Sequence, residues 1–311
     1  MLTYLIILLD NTSTSYCHYH VPQQQHSPIS LEDLRAGIVW AMKENLNVQF
    51  VYPDYELPAE YTETIDSIDH TDIKPFRSAE NADVLVLGGW NDDVPEGTTC
   101  IIRASLRDLD EHVDVVCEWL KRLARLNVVL TDVDAFKDSD IDVYGRTLAS
   151  LTDSIASLYA SGRTPQLNLL TDRLILSQMN NCGAGDSCIT LAPNGKFYLC
   201  PAFYYDDNTQ SVGDLKSGLT ISNPQLLRFD HAPICRKCDA YHCRRCVWMN
   251  SRLTMDANTP SHQQCVVAHI ERNTSRELLM KIEKLGVRIS NTKPIEEMTE
   301  LDPFNIVNRW K

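Results

Sequence analysis

The chain has 311 residues, enough to bury a full core as one large domain or as a large domain with a smaller appendage. Apolar residues make up 43% of it, and 42 acidic against 29 basic side chains give a formal charge of -13. That charge opposes the counterion release on which nucleic-acid binding depends, so DNA and RNA are excluded as partners.

The first ten residues, MLTYLIILLD, carry an apolar run with no Lys or Arg ahead of it. Asp10, Asn11 and Thr12 follow where a cleaved signal would show small residues, so the run reads as a buried strand. No later window approaches the roughly 18 continuous apolar residues of a membrane span, which points to a cytoplasmic protein without a membrane partner. A helix is expected from Ser30, whose partner three residues on is Asp33, with Leu31, Leu34, Ile38 and Ala41 on one face. Further strands are expected at 47–52, 83–89, 99–103, 128–131 and 166–170. Helical stripes run through Val113, Val116, Cys117, Leu120 and Leu123, and through Tyr144, Leu148, Leu151, Ile155 and Leu158. Strands separated by helical crossovers predict an α/β fold, a parallel sheet with helices outside it in an open or partial barrel.

The pattern changes after about residue 175. ITLA and KFYLC flank Pro193, Asn194 and Gly195, a hairpin turn signal. A short helix is expected to begin within 224–229, and a last helix is expected over 274–285. The acidic WNDDVPEG segment, residues 90–97, reads as a solvated loop. The expected division is an α/β domain over 1–175, a cysteine-rich domain over 176–270, and a helix with a tail over 271–311.

Eight of the eleven cysteines fall between Cys182 and Cys265. In order they are Cys182, Cys188, Cys200, Cys235, Cys238, Cys243, Cys246 and Cys265, enough for two four-thiolate sites. In a reducing compartment such a run binds metal sooner than it forms disulfides. Soft thiolates suit both tetrahedral zinc and iron-sulfur clusters. Zinc ribbons separate two CxxC pairs by about 12 to 20 residues, whereas only four separate Cys238 from Cys243, which favours the wider target of a cluster and leaves paired zinc ions as the alternative. Arg236, Lys237, Arg244 and Arg245 flank the run, either balancing anionic clusters or forming a solvated face.

The order C-x5-C, then Gly195 with four residues to Cys200, then C-x2-C-x4-C-x2-C and a last cysteine, resembles the SPASM domain of radical-SAM peptide and protein maturases. The family's central spacings are slightly wider. The resemblance implies two [4Fe-4S] clusters, with Cys182, Cys188, Cys200 and Cys246 on the first and Cys235, Cys238, Cys243 and Cys265 on the second. Full ligation of both implies electron relay or a structural role rather than Lewis-acid chemistry.

The radical-SAM motif C-x3-C-x2-C after the first strand is replaced here by DNTSTSYCHYH, so Asp10 and Thr14 stand at two cysteine positions and Cys17 at the third. The family's GGEP motif falls on VYPDYELP, with Tyr52 and Pro53 at glycine positions. Both departures imply a degenerate core that binds no S-adenosylmethionine (SAM). Cys17, with His18 and His20 beside it, reads as a remnant of that motif, the alternative being part of a metal site. AYHCRRCVW with NTPSHQQCVVAHIER is similar to the CXXX-repeat peptide maturases, which lack the radical-SAM motif and accompany a true radical-SAM enzyme and a small cysteine-repeat precursor. The resemblance therefore implies those two partners, an accessory role, and no catalytic residue that can be named. An interaction module stapled by zinc is the competing reading, and an independent enzyme finds no phosphate-binding glycine loop or nucleophile motif.

Cys100 and Cys117 read as core residues. His231, His242, His262 and His269 read as neighbours of the clusters or surface groups. Phe197, Tyr198, Phe203, Tyr204 and Tyr205 read as a packing shell, or else as a groove for peptide.

Overall fold

A computed structural model of the chain describes residues 2–22, 24–78, 82–176, 179–241, 243 and 246–289. His242, Arg244, Arg245 and the tail from residue 290 lie outside the described residues. In chain order the strands are β1 (Tyr4–Leu8), β2 (Asn47–Val51), β3 (His70–Pro75), β4 (Val84–Val86), β5 (Thr99–Ala104), β6 (Arg125–Leu130), β7 (Gln166–Leu167), β8 (Cys188–Leu191) and β9 (Phe197–Tyr198). The helices are α1 (Leu31–Lys43), α2 (Ala59–Ile65), α3 (Leu106–Glu111), α4 (Val113–Leu120), α5 (Asp138–Ala160), α6 (Asp172–Ile175), α7 (Pro201–Asp206), α8 (Val247–Leu253) and α9 (His262–Lys284). The fold is the expected α/β class. The chain forms two compact units, each built from two stretches: Met1–Gly88 with Cys182–Arg228, and Gly89–Asn181 with Phe229–Lys311.

In the first unit the strand order is β4-β3-β2-β1-β8-β9, parallel except for β9. Tyr4 of β1 pairs with Asn47 on one side and Cys188 on the other, which fixes Cys188 at the start of β8 beside the start of β1. Both faces of β1 are buried, as a central parallel strand requires, and α1 covers one of them with Leu34, Ile38 and Ala41. The Ser30 hydroxyl accepts the Asp33 amide at 3.0 Å and caps α1 as its sequence predicts. Gly37 lets α1 approach the sheet, since a Cβ there would stand 2.4 Å from Leu191 Cδ2. The β8–β9 hairpin forms at the expected turn, with Gly195 at φ +73°.

Strand β3 has no counterpart among the sequence-predicted strands. HTDIKP offers little apolar alternation because His70, Asp72 and Lys74 share one face. Their charges are paired locally, with Lys74 Nζ at 2.8 Å and His70 Nε2 at 3.4 Å from the Asp72 carboxylate.

In the second unit β5, β6 and β7 are parallel neighbours. Strand β7 is shorter than predicted: after its amide bonds the Leu126 carbonyl at 3.2 Å, Asn168 continues the contact with β6 through its side chain. Its carboxamide accepts the Val128 amide and donates to the Val128 carbonyl, both at 2.9 Å. Cys100 is buried in β5, as expected of a core residue, and Cys117 is partly buried in α4. The last helix starts at His262, twelve residues ahead of its predicted start, because Ser261 and Gln264 form a capping box. Helix α9 packs along α5 and buries Glu271 completely. That carboxylate accepts from the Tyr144 hydroxyl and from Arg173 Nη2, both at 2.6 Å. No helix among the described residues is long and apolar enough to cross a membrane.

Removing one member of a buried ion pair strands the other charge, at a cost of about 3–5 kcal/mol. Glu271→Ala should lose that much unfolding free energy, seen as a lower urea midpoint with little change in slope. A loss under about 1 kcal/mol would show that Arg173 finds another partner or water.

Candidate metal centre

The two members of C-x5-C are joined by a tight loop in the first unit. The Gly183 carbonyl accepts the amides of Asp186, Ser187 and Cys188, and the Cys188 thiol donates to the Cys182 carbonyl at 3.1 Å. Gly183 and Gly185 both lie at positive φ, and a Cβ on Gly183 would meet Ser187 Oγ at 1.8 Å. Cys182 is exposed and Cys188 is buried. Cys200 is the residue before α7, with Pro201 opening the helix. Burial pushes the Cys200 thiol well above the ordinary range, and the charges of Cys182 and Cys17 add to the rise. Amides of Ala202 and Phe203 donate to its sulfur and oppose it. Burial likewise raises the Cys188 thiol, with Cys182 and Cys17 the next contributors.

Phe197 and Tyr198 are fully buried and Phe203 nearly so. Those aromatics are a packing shell and offer no open groove. Tyr204 and Tyr205 instead hold the chain that follows β1: the Tyr204 hydroxyl bonds the Asn11 side chain, and the Tyr205 hydroxyl donates to the Asp10 carbonyl at 3.4 Å.

The second unit carries Cys235, Cys238, Cys243, Cys246 and Cys265. Cys235 opens a single 3-10 turn and accepts the Cys238 amide through its carbonyl at 3.0 Å. The Cys238 sulfur accepts the Ala240 amide at 3.4 Å and lies 3.6 Å from His269 Nε2. Cys243 is buried beside Ala240 and Ala268. Burial raises its thiol, Cys235 and Cys238 raise it further, and Arg173 lowers it. Cys246 is the residue before α8. Cys265 lies in the first turns of α9, and Ala268, His269 and Arg272 follow it on the same face at helical spacing. Arg272 Nη1 donates to the Asp239 carboxylate at 2.7 Å, both side chains being buried. Asp239 directly follows Cys238, so this pair ties the cysteine loop to the helix that carries Cys265.

The sequence missed a cation whose charge reaches these thiols. Arg236 and Lys237 are exposed, which supports the solvated-face reading for them. The guanidinium whose charge reaches Cys243 belongs to Arg173, more than sixty residues earlier in the chain. His269, by contrast, is legible in the spacing Cys265-x3-His269 once α9 is recognised as one helix. His231 and His262 are exposed, as a surface reading expects.

At the end of β1 the chain closes on itself. Asp10 is fully buried, and its carboxylate accepts the Thr12 amide at 2.8 Å, the Thr12 hydroxyl at 2.6 Å and the Tyr55 hydroxyl at 2.9 Å. The Ser13 hydroxyl accepts the Asp10 amide at 3.0 Å and donates to the Val51 carbonyl at 2.7 Å. Tyr52 lies under the Lys74 ammonium, 4.6 Å from the ring centre. Asp10 and Tyr52, which stand where the resemblance expects cysteine and glycine, are thus engaged by neighbouring side chains.

Among the described residues no three His, Cys, Asp or Glu side chains converge closely enough to hold a bare metal ion. The donor sets nevertheless suit a thiolate-bound metal group. They are soft and mostly buried, and Arg272 Nη2 is a buried donor without a hydrogen-bond partner among the described residues.

No protein-family model and no curated protein matches the chain. Among solved structures, the fold is similar to that of anSMEcpe, an anaerobic sulfatase-maturating enzyme of the radical-SAM/SPASM class. The hexahistidine-tagged form with bound AdoMet matches with a TM-score of 0.61 and 12% identity, over 93% of this chain and 97% of that one. Native anSMEcpe with AdoMet and the Kp18Cys peptide gives 0.61 and 14%, over 91% and 99%, and the Cp18Cys complex gives 0.61 and 14%, over 92% and 99%. At such identities the likeness is one of fold, and the chain has a radical-SAM-like α/β architecture.

Arg272→Met should strand the Asp239 carboxylate and free the Cys235–Cys243 loop from α9. We expect reconstituted protein to hold metal about 10- to 100-fold more weakly at the thiols of the second unit, with those of the first unit unaffected. Metal retention during titration with a chelator measures this, and unchanged retention would show that the pair does not position the loop.

Proposed function

We propose that the chain is an accessory protein in the post-translational modification of a ribosomally made, cysteine-repeat peptide. It works beside a radical-SAM enzyme and carries two [4Fe-4S] clusters, but it neither binds nor cleaves SAM. The observation that carries this reading is the combination of two thiol-rich sites with a β1 loop whose cofactor position is filled by the Asp10 knot. The fold of a peptide-acting maturase, seen with peptide bound in anSMEcpe, supports the choice of a peptide as partner.

In the first unit Cys182, Cys188 and Cys200 supply thiolates, and in the second Cys235, Cys238, Cys243 and Cys265 do so. Clusters bound there would transfer single electrons, at potentials set by burial and by hydrogen bonds to sulfur. The chain's own groups prepare both sites. The Ala240 amide donates to the Cys238 sulfur, and His269 stands beside it. Arg173 places positive charge near the Cys243 sulfur in a buried environment, where opposite charge favours the thiolate. Phe203 and Tyr19 are buried, and Tyr19 stacks on Tyr205 of the helix that follows Cys200. In the metal-free chain burial keeps Cys188, Cys200 and Cys243 protonated, so loading metal must release protons.

Anaerobic reconstitution should give about eight iron and eight sulfide per chain and a brown protein. The same material, incubated with dithionite and SAM, should form no 5'-deoxyadenosine. Stoichiometric zinc in place of iron would overturn the cluster reading in favour of a zinc-stapled module. Formation of 5'-deoxyadenosine would overturn the claim that the chain does not cleave SAM.

A further inference from the structure

The segment that leads into α1 runs back along the end of β1. The Ile29 amide donates to the Leu9 carbonyl at 2.9 Å and the Asn11 amide to the Ser27 carbonyl at 3.2 Å, which fixes the backbone beside His26. The His26 ring is thereby laid on the Asp10 knot, at the carboxyl ends of the parallel strands β1 and β2, the edge at which open α/β sheets bind ligands. Its Nδ1 lies 3.2 Å from the Thr12 hydroxyl and 3.8 Å from the Asp10 carboxylate, and its ring centre is 4.3 Å from that of Tyr55.

These contacts fix which nitrogen carries the hydrogen. A carboxylate only accepts, so the one Thr12 hydroxyl proton goes to Asp10 at 2.6 Å. Toward His26 the same oxygen can only accept, so Nδ1 bears the hydrogen and Nε2 keeps the lone pair. The Tyr55 hydroxyl holds the other carboxylate oxygen at 2.9 Å. Asp10 is fully buried while the His26 side chain is 58% exposed, so a buried acid orients, through Thr12, an imidazole open to solvent. A base positioned in this way by a further group is the arrangement that activates nucleophiles. The exposed Asp54 and Glu56 flank Tyr55 in the chain, and their charge with that of Asp10 disfavours an anionic ligand. Among neutral groups that give up a proton, a thiol at about 8.5 lies within reach of imidazole at about 6.5, whereas an aliphatic hydroxyl does not.

We propose that His26 is a general base toward the thiol of a bound cysteine peptide, with Thr12 and Asp10 as its positioning residues. The choice of a peptide thiol deepens the reading of the chain as a partner of a cysteine-repeat precursor and rests on it. In the step the S–H bond breaks, the proton moves to Nε2 and the electron pair stays on sulfur, so no oxidant or reductant takes part. The imidazolium that forms is met by the Asp10 carboxylate.

The test mixes the full chain, His26→Gln or Thr12→Val, each checked for folding by circular dichroism, with a synthetic peptide carrying cysteine at every fourth residue. Iodoacetamide alkylation of the peptide is followed by mass spectrometry near pH 7, where a free thiol is only a few per cent ionised. Saturating wild-type chain should speed alkylation by about tenfold or more. His26→Gln should remove the acceleration with peptide binding unchanged, and Thr12→Val should lower the rate at saturation without moving the half-saturating concentration. Binding without acceleration, or equal acceleration by His26→Gln, would overturn the assignment and leave the peptide reading standing. N-acetylcysteine methylamide separates the two: acceleration of this small thiol through His26, with no binding of the peptide, would sink the peptide reading and keep the base. No acceleration of either thiol would overturn the base. Proton–nitrogen correlation spectra of the imidazoles need no variant to be active. His26, identified by the signal missing from His26→Gln, should carry its hydrogen on Nδ1 in the neutral form, and hydrogen on Nε2 would overturn the assignment.

Discussion

Helix α9 buries two opposite charges at consecutive positions, Glu271 and Arg272, and neither can stay buried without a counter-charge. A helix turns by about 100° per residue, so neighbours must find their partners in different directions. Glu271 takes Arg173, which follows β7, and Tyr144 of α5. Arg272 takes Asp239, in the middle of the cysteine run. One requirement of electrostatics therefore gathers the framework helix, the end of the sheet and the cysteine loop of the second unit onto a single helix. Cys265 and His269 ride on that same helix, so ion pairs help to set the spacing of Cys265 from Cys238 and Cys243. Arg173 has a further effect, because its charge also reaches Cys243.

The first unit is governed by the need to satisfy a buried carboxylate. Asp10 ends β1 at the place where a radical-SAM core, by the resemblance, would start its cluster loop. Its two oxygens are engaged by Thr12 and Tyr55, and its amide by Ser13. Such a knot takes up three of the carboxylate's roughly four lone-pair sites, and opening it would cost a buried charge three hydrogen bonds, each to a charged group worth about 1.5–3 kcal/mol. The loop that follows runs against α7, where Tyr204 and Tyr205 receive it.

Much of this was legible in the sequence because the governing signals were local. The apolar run of β1, the Ser30–Asp33 cap of α1, and the Pro-Asn-Gly turn between β8 and β9 are properties of a few neighbouring residues. Strand β3 was invisible because its buried face is held by ion pairs among His70, Asp72 and Lys74, which hydropathy cannot distinguish from a solvated loop. The early start of α9 was hidden for a related reason: Gln264, His269, Glu271 and Arg272 are polar yet buried, so the apolar stripe is broken where the helix is most enclosed. The cysteine positions were plain, but Arg173 could not be assigned to them, since its contribution depends on long-range folding alone.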